Sequence, residues 1–172
     1  HKEYRRQRQM CIRDRLYVPL FNYTGGDLSL LQHLHQHEAT RMGLSDAGAH
    51  CGSICDGGMP TFMLTHWARD RRRGPKLPIE HVVRRQTSET AALFGMHDRG
   101  LVAPGMKADL NVIDFDALGF SPASMAYDLP TGARRLVQRG RGYAMTVASG
   151  TVIVEDDEMT GELPGRLIRA GS

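Results

Sequence analysis

The spacing of apolar positions changes near residue 100. Before it, apolar residues recur at helical intervals; after it, they alternate with polar ones. The first run, Leu16-Tyr17-Val18-Pro19-Leu20-Phe21, reads as extended, and Pro19 keeps it out of a central strand. Thr24-Gly25-Gly26 is a turn, and Asp27 caps a helix carrying Leu28, Leu31 and Leu34, with Leu30 flanking. Met42-Gly43-Leu44-Ser45 reads as a short buried strand. Residues 46–58, with four glycines, form a loop long enough to be functional. Pro60 starts a helix that runs to about Asp70, with Phe62, Met63 and Trp67 among its apolar residues, and Gly74-Pro75 stops it. Pro78 opens the clearest helix. Its stripe is Ile79, Val82, Val83, Gln86, Thr90, Leu93 and Phe94, and Gly95 sits at its C-cap.

The second half reads differently. Asp109 to Asp114 alternates polar and apolar. Tyr143 to Ala148 and Thr151 to Glu155 are two further strands, joined by a Ser149-Gly150 hairpin turn. Pro122, Pro130 and Gly132 mark a long irregular connection between the first strand and this pair. The order is strand, loop, helix, helix, then a β-rich tail. Two helices after one strand suit the last βα unit of an α/β fold.

Composition adds little to that picture. The chain has 172 residues, 41% apolar and 24% charged, enough for one sizeable core or a large domain with a small one. No apolar run approaches the ~20 residues of a membrane-spanning helix, and no signal peptide opens the chain. The expectation is a cytoplasmic protein without a membrane partner.

Charge changes the picture more. The net +3 comes from residues 1–15, which hold six basic and two acidic residues; the other 157 carry 16 basic and 17 acidic. A nearly neutral body gives no reason to expect nucleic acid as a partner of the fold. The stretch Arg8-Gln9-Met10-Cys11-Ile12-Arg13-Asp14-Arg15 resembles a translated sequencing-adapter read-through, and His1 stands where an initiator methionine is expected. Residues 1–15 are therefore read as a non-native or disordered basic tail, with native sequence expected upstream of the fold.

Several constellations carry candidate chemistry. His33 and His37 share a helix face at i,i+4 while His35 points elsewhere. The second histidine of a metalloprotease helix does not follow Glu38, so the three read as a solvated face. Arg69 and Arg71 to Arg73 read as a solvated, dipole-complementing helix end. Cys51 and Cys55 can approach His50 or His66 around a metal, but no second cysteine pair exists, and two reduced, partly buried thiols is the plainer reading.

The most informative stretch is Gly43-Leu44-Ser45-Asp46-Ala47-Gly48-Ala49-His50. A short apolar run ends in a carboxylate, and small residues and a histidine follow. In a (β/α)₈ barrel the chemistry sits at the C-terminal strand ends. Asp46 there can act as a general base toward water or hold a cation, and His50 can contact substrate. Local sequence supports a helix cap or turn at Ser45-Asp46 at least as well.

Resemblance moves that balance. Gly43 to His50 together with Leu64-Thr65-His66-Trp67-Ala68-Arg69-Asp70 resembles the N-acyl-D-amino-acid deacylase group of the amidohydrolase superfamily. Thr87 to Gly95, Arg99 to Gly105 and Lys107 to Asp114 resemble the superfamily's ending, where the chain leaves the last barrel helix for a small β-sandwich. Gly161 to Leu167 is similar to the closure of the same group. The resemblance runs from about Leu16 to Ser172. It implies an α/β fold: the C-terminal part of a (β/α)₈ TIM barrel, its last strand and helices, in residues 16–97, then part of a small β-sandwich domain in 98–172.

It also implies a function. Asp46 matches the aspartate after barrel strand eight, the general acid/base of metal-assisted amide hydrolysis, and His50 is a weaker substrate-binding candidate. The substrate class is a small N-acyl-D-amino acid. The cofactor is zinc in a full-length parent, with its ligands largely outside this chain, so no metal-ligand residue is assigned here. The family's metal ligands on earlier strands have no counterpart, and a full barrel needs ~250 residues. The expectation is a C-terminal piece, inactive alone, whose helices expose faces meant for neighbours. Three rivals remain: a cyclic amidase of the hydantoinase or dihydroorotase type, a small zinc-binding module of His50, Cys51, Cys55 and His66, and a basic-arm nucleic-acid binder resting on residues 1–15.

Overall fold

The computed structural model describes residues 27–43 and 57–168. Contacts divide the chain into two units, residues 1–40 and 41–172.

In the first unit, α1 spans Ser29–Gln36. The N-cap is Leu28, with no side-chain cap bond, rather than the expected Asp27; one residue earlier, the Asp27 carboxylate accepts the Ser29 N–H at 2.9 Å, satisfying one of the donors that a helix start leaves open. The expected histidine face does not form, because the helix stops at Gln36 and His37 is extended (φ −71°, ψ 133°). Local side chains take over the backbone groups there. The Thr40 hydroxyl bonds the Leu34 carbonyl and, at 2.9 Å, the His37 carbonyl. The Ala39 N–H donates to His37 Nδ1 at 3.2 Å.

The second unit is built on one helix. α2, Met59–Phe62, begins with Pro60 in its first turn and runs directly into a π-helix, Met63–Asp70. The Arg71 N–H reaches the His66 carbonyl, five residues back, at 2.8 Å. Thr61, Met63, Thr65 and Trp67 are buried, and among Met59 to Arg69 only Pro60 is exposed. A helix covered on nearly every side is an interior helix. The sequence gives its limits correctly but not its wider winding.

The helix expected from Pro78 is two helices, α3 (Ile79–Gln86) and α4 (Ser88–Leu93), broken at Thr87 (φ −123°, ψ −96°). The Thr87 hydroxyl donates to the Val83 carbonyl at 2.8 Å and that of Thr90 to the Arg85 carbonyl at 2.7 Å. Such back-bonding bends helices. The Glu89 carboxylate then gathers Arg84 at 2.8 Å, Arg85 at 3.4 Å and Arg41 at 3.6 Å across the break. Of the apolar stripe, Val82 is fully buried, but Ile79, Val83, Leu93 and Phe94 are exposed. Gly95 (φ 69°) closes α4 as expected: its N–H reaches the Ala92 carbonyl, and Met96 N–H that of Ala91.

The main sheet is antiparallel. β1 (Leu110–Ile113) pairs with β6 (Tyr143–Ala148), β6 with β7 (Thr151–Glu155), and β7 with β8 (Glu158–Met159). The β6–β7 turn is the expected Ser149-Gly150, with φ of 52° and 81°, as a type I′ hairpin needs. The Asp109 carboxylate accepts the Ser149 N–H at 2.7 Å and holds that turn beside the start of β1. The connection read as irregular contains two short antiparallel pairs: β2 (Gly119–Phe120) with β5 (Gly140–Arg141), and β3 (Ser124–Ala126) with β4 (Arg135–Val137). Strands of two or three residues are too short to show an alternation.

Of the strand expected at Met42–Ser45, Met42 and Gly43 lie in no strand, and the rest falls outside the described residues. Every pairing among the described residues is antiparallel, and they close no barrel. A parallel barrel strand is stable only between neighbours on both sides, and the described residues supply none.

Candidate functional site

Asp46 and His50, the residues singled out from sequence, lie outside the described residues, as do Cys51 and Cys55. What is described is the helix that follows them in sequence. Gly58 donates its N–H to Gln138 Oε1 at 2.7 Å. A side chain there would meet that same oxygen at 2.7 Å and the Phe120 ring at 3.0 Å, so a larger residue would have to move the Gln138 side chain and press on Phe120. One turn on, the Thr61 hydroxyl and the Tyr143 phenol share a 2.6 Å hydrogen bond. These contacts tie the helix start to β2, to the segment after β4, and to β6.

Along the same helix runs a line of stacked rings. Phe62 meets Phe120 edge-on at 6.4 Å and stacks on His66 at 4.6 Å with the planes 5° apart. His66 meets Trp67 edge-on at 5.3 Å, and Arg71 lies over the Trp67 ring at 4.3 Å. The i,i+4 spacings Phe62–His66 and Trp67–Arg71 were the signal available in sequence. Burial, and secondarily the Arg71 cation, hold the His66 imidazole below its ordinary pKa, against an opposing pull from Asp70. His66 is therefore mostly neutral at neutral pH, able to accept a proton or hydrogen bond.

Of the arginines expected at a solvated helix end, Arg72 and Arg73 are exposed, but Arg69 and Arg71 are not. Arg69 pairs with Asp70 through both nitrogens, at 2.8 and 2.9 Å, and donates to the carbonyls of Phe115, Asp116 and Leu118. That bond set ties the end of the π-helix to the loop between β1 and β2. Arg71 is 4% exposed. Its Nε–H donates to the Arg73 carbonyl at 2.6 Å. Nη1 and Nη2 are buried with no hydrogen-bond partner among the described residues. An unsatisfied buried donor costs ~1–3 kcal/mol, and a desolvated cation–π stack returns about 2.

Among the described residues, no three His, Cys, Asp or Glu side chains converge as a metal-binding group would require. Of the rival zinc cluster only His66 is described, and rings and Arg71 surround it. No described helix is long and apolar enough to cross a membrane.

Comparison with known proteins completes this description. Uncharacterized proteins of Mycobacterium tuberculosis and Mycobacterium bovis are 32% identical over 158 residues, covering 82% of this chain and 25% of their own length. A D-aminoacylase of Alcaligenes xylosoxydans xylosoxydans is 31% identical over 110 residues, 62% of this chain and 19% of its own. The chain thus spans about a quarter or less of the length of these relatives. No solved structure matches it. A family model described as "Amidohydrolase family" matches residues 14–154. The chain belongs to the amidohydrolase family, a superfamily built on the (β/α)₈ barrel.

Proposed function

We propose that this chain is part of a metal-dependent hydrolase that cleaves the amide bond of N-acyl-D-amino acids, with Asp46 as general acid/base and His50 as a substrate contact. The observation that carries the reading is the similarity to a D-aminoacylase over 62% of the chain. The acid placed directly after a short apolar run is consistent with it.

Asp46 moves one proton. Its carboxylate takes the proton of the attacking water as the water oxygen bonds to the acyl carbon. The same proton passes to the amide nitrogen as the C–N bond breaks, giving a carboxylic acid and a free amine. An amide nitrogen leaves poorly unless protonated, so one residue in both roles suits the reaction. Zinc, when bound, supplies a water that ionises near neutral pH. The described residues do not form a ligand set for it, and its ligands are proposed to lie in a longer enzyme.

In this reading residues 16–97 are the end of the barrel and 98–172 part of a small β-rich domain, with residues 1–15 a tail foreign to both. The partner is a small N-acyl amino acid and the location cytoplasmic. The helix Met59–Asp70, packed on nearly every side, serves as a rigid mount for the loop before it.

The test is Asp46→Asn in a full-length enzyme carrying this segment, assayed on N-acetyl-D-glutamate and on a dihydropyrimidine in parallel. Turnover of the acyl amino acid should fall by ~10²–10⁴ with metal content unchanged. A near wild-type rate removes Asp46 from the mechanism. Faster turnover of the cyclic amide transfers the reading to a cyclic amidase.

A further inference from the structure

The Arg71 guanidinium is charged, 96% buried and only partly engaged. One face lies on Trp67, and Nε–H is spent on the Arg73 carbonyl. What remains is the end-on fork of Nη1 and Nη2, both buried and both without a hydrogen-bond partner among the described residues. The nearest carboxylate in sequence, Asp70, is held through both oxygens by Arg69. Residues 71–77 contain no acid, and Arg72 and Lys76 are exposed beside the fork in sequence.

Gly74 lies against the Nε–Nη2 side of the guanidinium. Its φ of 84° and missing side chain let it lie against the guanidinium; a Cβ there would come within 2.8 Å of Nη2. The Leu77 N–H returns to the Trp67 carbonyl at 2.8 Å, so residues 71–76 form a closed loop beside the guanidinium.

We propose that this loop is an oxyanion-binding site in which the Nη1/Nη2 fork of Arg71 takes two oxygens of a small carboxylate or phosphate. Two parallel N–H groups at fixed spacing match that geometry, and a buried cation gains most from such a pair. Buried polar groups left unsatisfied in a folded protein commonly mark an ion or water. The ligand enters by displacing the Gly74 turn. In sequence Arg71 follows the helix Met59–Asp70 and lies 25 residues after Asp46.

Trp67 is the chain's single tryptophan, so it reports on the guanidinium stacked against it. The experiment is a fluorescence titration of the 172-residue chain with sodium phosphate and, separately, sodium acetate, with ionic strength held by chloride. The expected result is a saturable change in Trp67 emission with at least one of the two anions. The anion that saturates identifies the ligand as a phosphate or a carboxylate. Arg71→Lys keeps the charge and loses the fork, and should weaken that binding at least tenfold. Should that variant not fold, Gly74→Ala is the second: its Cβ pushes into Nη2 and should shift the midpoint at least fivefold. Absence of saturation with both anions overturns the proposal. So does saturation that the variants leave unchanged, which would mark an adventitious ion only.

Discussion

His66 is held below its ordinary pKa first by burial and then by the Arg71 cation. The sign of its effect on stability follows from linkage. Above the unfolded pKa of about 6.5 both states carry a neutral ring, and the full stability is present. As pH falls through that value toward the lower folded pKa, the unfolded chain takes up the proton first and stability is lost. Replacing His66 with Gln should therefore flatten the fall in melting temperature between pH 7.5 and pH 5.5. Parallel curves for the two proteins would show that another group governs that range. At this scale the sequence is legible wherever partners are local. The Asp27 bond to the Ser29 N–H and the Gly95 cap follow from residues within one turn. Arg69 and Arg71 were misread as solvated because their partners, the β1–β2 loop carbonyls and the Trp67 face, are set by how the helix packs.

Among the elements, the β6–β7 hairpin shows how far local chemistry reaches. Ser149 holds a φ of 52°, where Asn is more at ease than Ser. Ser149→Asn should stabilise the chain by about 0.5 kcal/mol, read as a higher urea midpoint. Gly150→Ala, at φ 81°, should lower that midpoint. A lower midpoint for the asparagine variant would mean that strand pairing, not the turn, sets the geometry. The hairpin was visible in sequence because its turn residues and alternation lie within thirteen residues. The α3–α4 break was not. Thr87 and Thr90 are ordinary helix residues, and the three arginines gathered by Glu89 come partly from outside the helices. The π winding of Met63–Asp70 escaped for a similar reason: apolar and polar residues fit either helix type, and only the five-residue bond from Arg71 tells them apart.

On the scale of the whole molecule, exposed apolar side chains stand out. Leu93 and Phe94 at the end of α4 are 61% and 69% exposed, and Leu101 and Val102 after it are 60% and 87% exposed. These positions carry a helical stripe and an apolar pair without cover among the described residues. Exposed apolar surface of this kind drives association. The isolated chain should self-associate as concentration rises, seen as an earlier and concentration-dependent elution in size-exclusion chromatography. Phe94→Ser with Val102→Ser should shift elution toward the monomer. A monomer at every concentration for the unmodified chain would show that these residues are covered.

The sequence by itself determined the elements whose causes are local: the cap at Gly95, the start at Pro60, the Ser149-Gly150 turn and the three longer strands. It also carried the family, because motifs spread from Gly43 to Leu167 survive in order even where no single one is specific. Tertiary structure decided what depends on distant partners: the short strand pairs between β1 and β6, the break at Thr87, the arginine bonds to β1–β2 carbonyls, and the buried Arg71 guanidinium on Trp67. The physical reason is range. Capping and turn energies are fixed within a few residues, whereas burial and charge pairing depend on which surfaces meet, and that information is spread over the whole chain.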